Sequence, residues 1–106
     1  MELVERGADA IFCANDASAA GALEWITGRG RSVPEDVALA GFDDLPFAAE
    51  LDPPLTTVRQ GVLQQGVEAA HALFHLLRDP NAGPKRVILP TELVIRRSTA
   101  GARAAA

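Results

Sequence analysis

The chain has 106 residues, 48% of them hydrophobic, and a formal net charge of −4. That is enough apolar material for one compact domain, or a piece of a larger one, and argues against disorder; the acidic balance excludes a grip on nucleic acid by this chain alone, because DNA affinity rests mainly on Lys and Arg set against phosphates. No apolar run approaches the roughly 20 residues that span a bilayer, and Met1 to Gly7 has neither the basic nor the apolar stretch of a signal peptide, so a soluble, cytoplasmic protein with no membrane partner is expected.

The run from Ala8 to Ala14 is short and apolar and stops at Asn15-Asp16, the pattern of a buried parallel strand ending at a polar loop. Ala17 to Thr27 predicts a helix: Asn15 or Asp16 can cap it, its residues are good helix formers, and Gly28 and Gly30 end it. Val33 to Asp36 turns the chain into a second apolar strand, Val37 to Gly41, closed by Phe42-Asp43-Asp44. Strand, helix and strand of these lengths make a right-handed βαβ unit with parallel strands, so both strand ends face the same way. Pro46 to Leu51 predicts a short helical turn, and Asp52-Pro53-Pro54 forces an extended entry to a third strand, Leu55 to Arg59.

Val62 to Arg78 is helical by periodicity, with Leu63, Val67, Ala70, Leu73, Phe74 and Leu77 on one side and Gln64, Gln65, Glu68, His71, His75 and Arg78 largely on the other. A loop through Asp79 to Pro84 follows, then two short strands, Arg86 to Leu89 and Glu92 to Arg96, separated by Pro90. The small, featureless tail, 100–106, is expected to be disordered. The fold class that results is α/β, a parallel Rossmann-like sheet flanked by helices.

In open α/β sheets ligands bind beyond the carboxyl ends of the strands, where loops converge and helix N-termini point their free N–H groups. Asn15-Asp16 and Asp43-Asp44 would line that rim with carboxylate acceptors and one amide that both donates and accepts, an inventory suited to a ligand rich in hydroxyls or N–H groups, such as a sugar or nucleoside. The plainer alternative is that Asp16 only caps its helix and Asp43-Asp44 only makes an Asx-type turn. A divalent metal wants several oxygen ligands, and no phosphate-cradling glycine loop accompanies these acids, so neither metal nor cofactor is implied. His71 and His75 share a helix face at metal-ligand spacing but suit a solvated polar face better. Cys13, the single cysteine, sits in an apolar strand as a small core residue. Ser18, Ser32 and Ser98 lie in no Gly-x-Ser-x-Gly elbow, and nothing assembles a nucleophile, base and oxyanion hole, so no enzyme is expected.

Asp9-Ala10-Ile11-Phe12-Cys13-Ala14-Asn15-Asp16, followed by Ala19-x-Gly21-Ala22-Leu23, resembles the effector-domain signature of the LacI/GalR transcription regulators. Val33-Pro34-Glu35-Asp36-Val37, Gly41-Phe42-Asp43-Asp44, Pro54-Leu55-Thr56-Thr57-Val58-Arg59-Gln60 and Glu92-Leu93-Val94-Ile95-Arg96-Arg97-Ser98-Thr99 follow in that family's order and spacing, so the likeness covers about residues 8–99. It implies a partial periplasmic-binding-protein-like fold, the C-terminal lobe plus a helix belonging to the other lobe. Residues 8–60 and 91–99 would form the sheet of the second lobe, and 61–90 a crossover helix and strand.

The same resemblance implies a small-molecule effector, a sugar or nucleoside-like metabolite, contacted by Asn15, Asp43 and Gln60, with Asp16 and Asp44 as supporting or capping residues. It implies a homodimer whose interface takes in Ala19, Ala22, Leu23, Pro46 and Leu51. Operator DNA would be a partner only through a helix-turn-helix headpiece not contained in these residues, with effector binding biasing its orientation. By the same likeness the apolar face of the 62–78 helix has lost its usual partner, so in isolation it should refold onto the sheet, dimerise or aggregate. Two rivals share parts of this pattern: a sugar-binding protein of a transport system, which has the same two-lobed fold, and a small enzyme holding a divalent metal on the strand-end acids. The Arg96-Arg97-Ser98-Thr99 ending resembles regulators more than transport proteins.

Overall fold

A computed structural model of the chain describes residues 2–101. They fall into two compact units: Gln60–Thr91, and the segments on either side of it. The flanking segments form helix α1 (Glu2–Glu5), strand β1 (Ala10–Phe12), helix α2 (Asp16–Gly28), strand β2 (Ala38–Ala40), a 3-10 turn (Pro46–Ala49), and strands β3 (Thr57–Arg59) and β4 (Glu92–Val94). The inserted unit contains helix α3 (Val62–Arg78). Of the tail expected to be disordered, 102–106 lies outside the described residues, while Ala100 and Gly101 sit in a turn.

β1 and β2 pair in parallel, with Ala10 opposite Ala38 and Phe12 opposite Ala40. β2 is bridged in parallel to the next segment through Ala40 with Thr56 and Asp43 with Arg59, and β4 then pairs antiparallel with β3, placing Arg59 opposite Glu92. β1 and β2 are thus parallel as the βαβ pattern predicts, and the β3 segment continues in parallel, but the sheet is mixed rather than wholly parallel because the fourth strand runs antiparallel. Two further expectations change. β1 is an edge strand with Phe12 68% exposed, not a buried one, because only β2 flanks it among the described residues. Arg86 to Leu89 forms no strand; the stretch is irregular from Pro84 to Thr91, and the strand of this region begins at Glu92.

Ser98 closes the gap where β2 and the entry to β3 have not yet met. Its carbonyl accepts from Leu39 N (3.0 Å), its N–H donates to Pro54 O (2.9 Å), its hydroxyl donates to Leu39 O (2.6 Å), and the same oxygen accepts from Thr56 N (2.8 Å). One buried residue thus supplies the partners a further strand would otherwise supply.

α2 starts where Asn15 Oδ1 accepts from Ser18 N at 2.8 Å, the N-cap bond to the third helical residue. It ends as Gly30 takes φ +74, a left-handed conformation that glycine adopts without a Cβ penalty, while Gly30 N and Arg31 N return to the carbonyls of Thr27 and Ile26. Between these ends Ala19, Ala22, Leu23 and Ile26 face the sheet and pack with Val33, Val37, Leu39, Ala48 and Leu55. Val4 of α1 joins that core, although four residues carry too little periodicity to be read as a helix in advance.

In the inserted unit, α3 has the predicted bounds and no buried residue. Leu63 (84%), Leu77 (69%) and Phe74 (57%) of its apolar face are exposed. A hollow of about 350 Å³ lies between the helix and the segment after it, lined by Ala69, Ala72, Val87 and Leu89, with Gln65, Glu68 and Lys85 adding polar atoms. Among the described residues no helix is long and apolar enough to cross a membrane.

Candidate functional site

Parallel pairing sends the chain out of β1 and β2 at the same edge, so the loops Cys13–Asn15 and Gly41–Asp44 leave side by side. They are joined directly: Cys13 N donates to Ala40 O (2.8 Å) and Asp16 N to Phe42 O (2.9 Å). Asn15 and Asp43 each stand one residue from that second bond, and both are half-buried. With Asn15 Oδ1 committed to the α2 cap, its amide Nδ2 remains as donor for another partner.

The second loop has an unusual backbone. Asp43 has φ +117 and Asp44 φ +54, consecutive non-glycine residues in territory that costs on the order of 1–3 kcal/mol each and persists only where surroundings hold it. The restraints can be named. Asp43 N donates to Val58 O (2.9 Å), Asp44 N to Thr57 Oγ1 (3.3 Å), and Leu45 N to Asp16 Oδ2 (2.8 Å).

The acids differ in what they have left to offer. Asp16 is fully buried, and its Oδ1 also accepts from Thr57 Oγ1 at 2.6 Å. The cap is thus Asn15, and Asp16 is more than a capping residue: its side chain reaches across to β3 and the second loop. Asp44 accepts from Arg59 Nε at 2.7 Å and Arg96 Nη2 at 2.8 Å, and Arg96 Nη1 further donates to Leu55 O (3.0 Å). Burial pulls the Asp44 carboxyl upward, but the two guanidiniums outweigh it and hold it below the usual aspartate range. Asp44 in turn, by hydrogen bond and charge, pushes the Arg59 guanidinium higher still. Carboxylates engaged in this way are poor recruits for a cation, and no group of three or more metal-ligating side chains occurs among the described residues. Cys13 is half-buried against the core, and burial raises its thiol, which suits a packing residue.

Gln60 opens the inserted unit, where its Oε1 accepts from Gln65 Nε2 at 3.1 Å. His71 and His75 are exposed on α3. Of the residues named for a dimer contact, Ala19, Ala22 and Leu23 are 0%, 6% and 7% exposed inside the chain's own core; Pro46 is exposed and Leu51 half-buried. Thr57, Arg59 and Arg96, which bind Asp16 and Asp44 at this edge, carry no sign of that role in local sequence, since these contacts reach distant segments.

A profile of the periplasmic binding protein-like domain matches residues 2–99. The HTH-type transcriptional regulator MalR of Streptomyces coelicolor is 41% identical over 100 residues, covering 94% of this chain and 29% of the relative. The fold is similar to the transcriptional regulator CelR in complex with cellobiose, with a TM-score of 0.86, 38% identity, and coverage of 92% of this chain and 30% of that one. It is also similar to a LacI family transcriptional regulator from Enterococcus faecium with bound ribose, with a TM-score of 0.83, 30% identity, and coverage of 93% and 37%. The chain therefore spans about three tenths of the length of the curated relatives it matches.

Proposed function

Since the chain belongs to the LacI/GalR family of transcriptional regulators, as the C-terminal portion of their periplasmic-binding-protein-like effector domain, we propose that it senses a small sugar through Asn15 and Asp43. The observation that carries the reading is the hydrogen bond from Asp16 N to Phe42 O, which draws the loops bearing Asn15 and Asp43 together beyond the carboxyl ends of two parallel strands. An amide donor beside a carboxylate matches adjacent sugar hydroxyls, each of which both donates and accepts. Two similar proteins were solved with cellobiose and with ribose, which supports a carbohydrate over a nucleoside.

Operator contact belongs, on this reading, to a helix-turn-helix segment outside these 106 residues, since the chain itself is acidic. A homodimer would use the exposed side of α2 with Pro46 and Leu51, because Ala19, Ala22 and Leu23 are already spent on the core; sedimentation equilibrium tests this directly.

The effector reading is tested by thermal melting of the chain with increasing cellobiose or ribose. A ligand that binds the folded state raises the melting temperature with concentration, by a free energy of about 2.7 kcal/mol at a hundredfold excess over Kd. Asp43→Ala is expected to abolish that response while retaining a cooperative melt. An identical response in Asp43→Ala removes this residue from the site, and no response to either sugar in the unaltered chain counts against the effector reading.

A further inference from the structure

We propose that Asp16 is a positioning residue that locks the Asn15 loop to the Asp43-Asp44 loop, and so sets the spacing of the two effector contacts; the second half of this statement rests on the effector reading above. Three hydrogen bonds radiate from this one residue. Its N–H donates to Phe42 O, its Oδ2 accepts from Leu45 N, and its Oδ1 accepts from the Thr57 hydroxyl. Thr57 Oγ1 spends its only proton on Asp16 and accepts from Asp44 N on its other side, so it relays the carboxylate's hold one residue further along the loop.

The effect is to bracket the two left-handed residues. Asp43 and Asp44 have Phe42 before them and Leu45 after them, and both neighbours are tied to Asp16. Since strained dihedrals survive only where the surroundings over-determine them, loss of these bonds frees the loop to relax toward ordinary backbone angles. Asn15 precedes Asp16 in the chain, so whatever fixes Asp16 against Phe42 and Leu45 also fixes Asn15 relative to Asp43.

Gly41 supplies the room for this arrangement. A Cβ there would collide with Asp16 Oδ1 and stand 3.0 Å from Leu55 Cδ2, so only a bare backbone lets the carboxylate reach so deep. A helix cap needs none of this: the cap is already supplied by Asn15, and Asp16 is 0% exposed, where a cap residue commonly meets water.

The test uses amide hydrogen exchange by NMR together with titration by cellobiose and ribose, in Asp16→Asn, Thr57→Val and Thr57→Ser. Thr57→Val removes the relay at nearly constant volume; it should speed exchange at Asp44 by roughly tenfold, the equivalent of one neutral hydrogen bond, and weaken sugar binding by a similar factor. Thr57→Ser, which keeps the hydroxyl, should restore both. Asp16→Asn leaves one acceptor in place of two and should speed exchange at Asp44 or Leu45 while Leu39, in the core strand, stays protected. The proposal is overturned if Asp44 and Leu45 exchange as in the unaltered chain, if Leu39 loses protection in step with them, if serine fails to rescue, or if the loop loosens and sugar affinity does not change. Failure of the unaltered chain to bind either sugar would instead sink the effector reading, and the exchange measurements would still decide whether Asp16 holds the loop.

Discussion

Ser98→Ala removes one oxygen atom and breaks two buried hydrogen bonds at once. Thr56 N–H, in a residue only 4% exposed, loses its acceptor, and Leu39 C=O, in a residue 0% exposed, loses its hydroxyl donor. A buried backbone group left unsatisfied costs about 1–3 kcal/mol, so the pair should lower stability by about 2–4 kcal/mol once partial relaxation is allowed for. That is a large share of the roughly 5–15 kcal/mol typical of a folded domain. The assay is equilibrium urea denaturation, read as the change in extrapolated unfolding free energy at unchanged slope. Thr27→Ala provides the contrast: it also removes a hydroxyl bonded to backbone, at Leu23 O, but the residue is exposed and water can replace the bond, so the change should stay within about 0.5 kcal/mol. Equal losses in the two variants, or a Ser98→Ala loss under about 1 kcal/mol, would refute the view that Ser98 stands in for a missing strand.

Asp44, whose folded carboxyl lies below its ordinary value, contributes stability that is present above the unfolded aspartate range and is lost as pH falls through the folded value. The gap in unfolding free energy between the unaltered chain and Asp44→Asn should thus be level down to about pH 5 and narrow below about pH 4; a gap that closes nearer neutrality contradicts the Arg59 and Arg96 pairing. Gly41→Ala should destabilise by about 1–3 kcal/mol through overpacking against Asp16 and Leu55, whereas Gly21→Ala, in the exposed middle of α2 with open space around it, should stabilise by up to about 1 kcal/mol. Opposite signs in a thermal melt are the expected result. Ile26→Ala, at a position with no exposure, should cost about 2–5 kcal/mol by denaturant titration.

Much of the fold could be read from local pattern. The apolar runs around Ile11 and Leu39, separated by a capped helix, are enough to anticipate parallel β1 and β2, and the strong 3.6-residue period of Val62 to Arg78 marks α3 at both ends. The misreadings have a common cause. Arg86 to Leu89 has strand-like composition, but a strand needs a partner, and no described segment pairs with it. Ile11 and Phe12 look like a buried strand, yet burial depends on neighbours that composition does not reveal. For the candidate site, the polar strand ends were legible as residue types, while the division of labour among them was not. Asn15 rather than Asp16 caps α2, and Asp16 and Asp44 are claimed by Thr57, Arg59 and Arg96, all from segments distant in the chain. Spacing along a sequence does not encode contacts of that range.

The pairing of Arg59 with Glu92 makes β3 and β4 a hairpin whose turn has been replaced by everything from Gln60 to Thr91. Its two stems already sit at hydrogen-bonding distance, so excision and closure with a tight Asn-Gly connection would demand little adjustment of either. The result would be a miniature scaffold retaining Asn15, Asp16, Asp43 and Asp44 on one rim, and a place where unrelated cargo could be grafted without disturbing that rim.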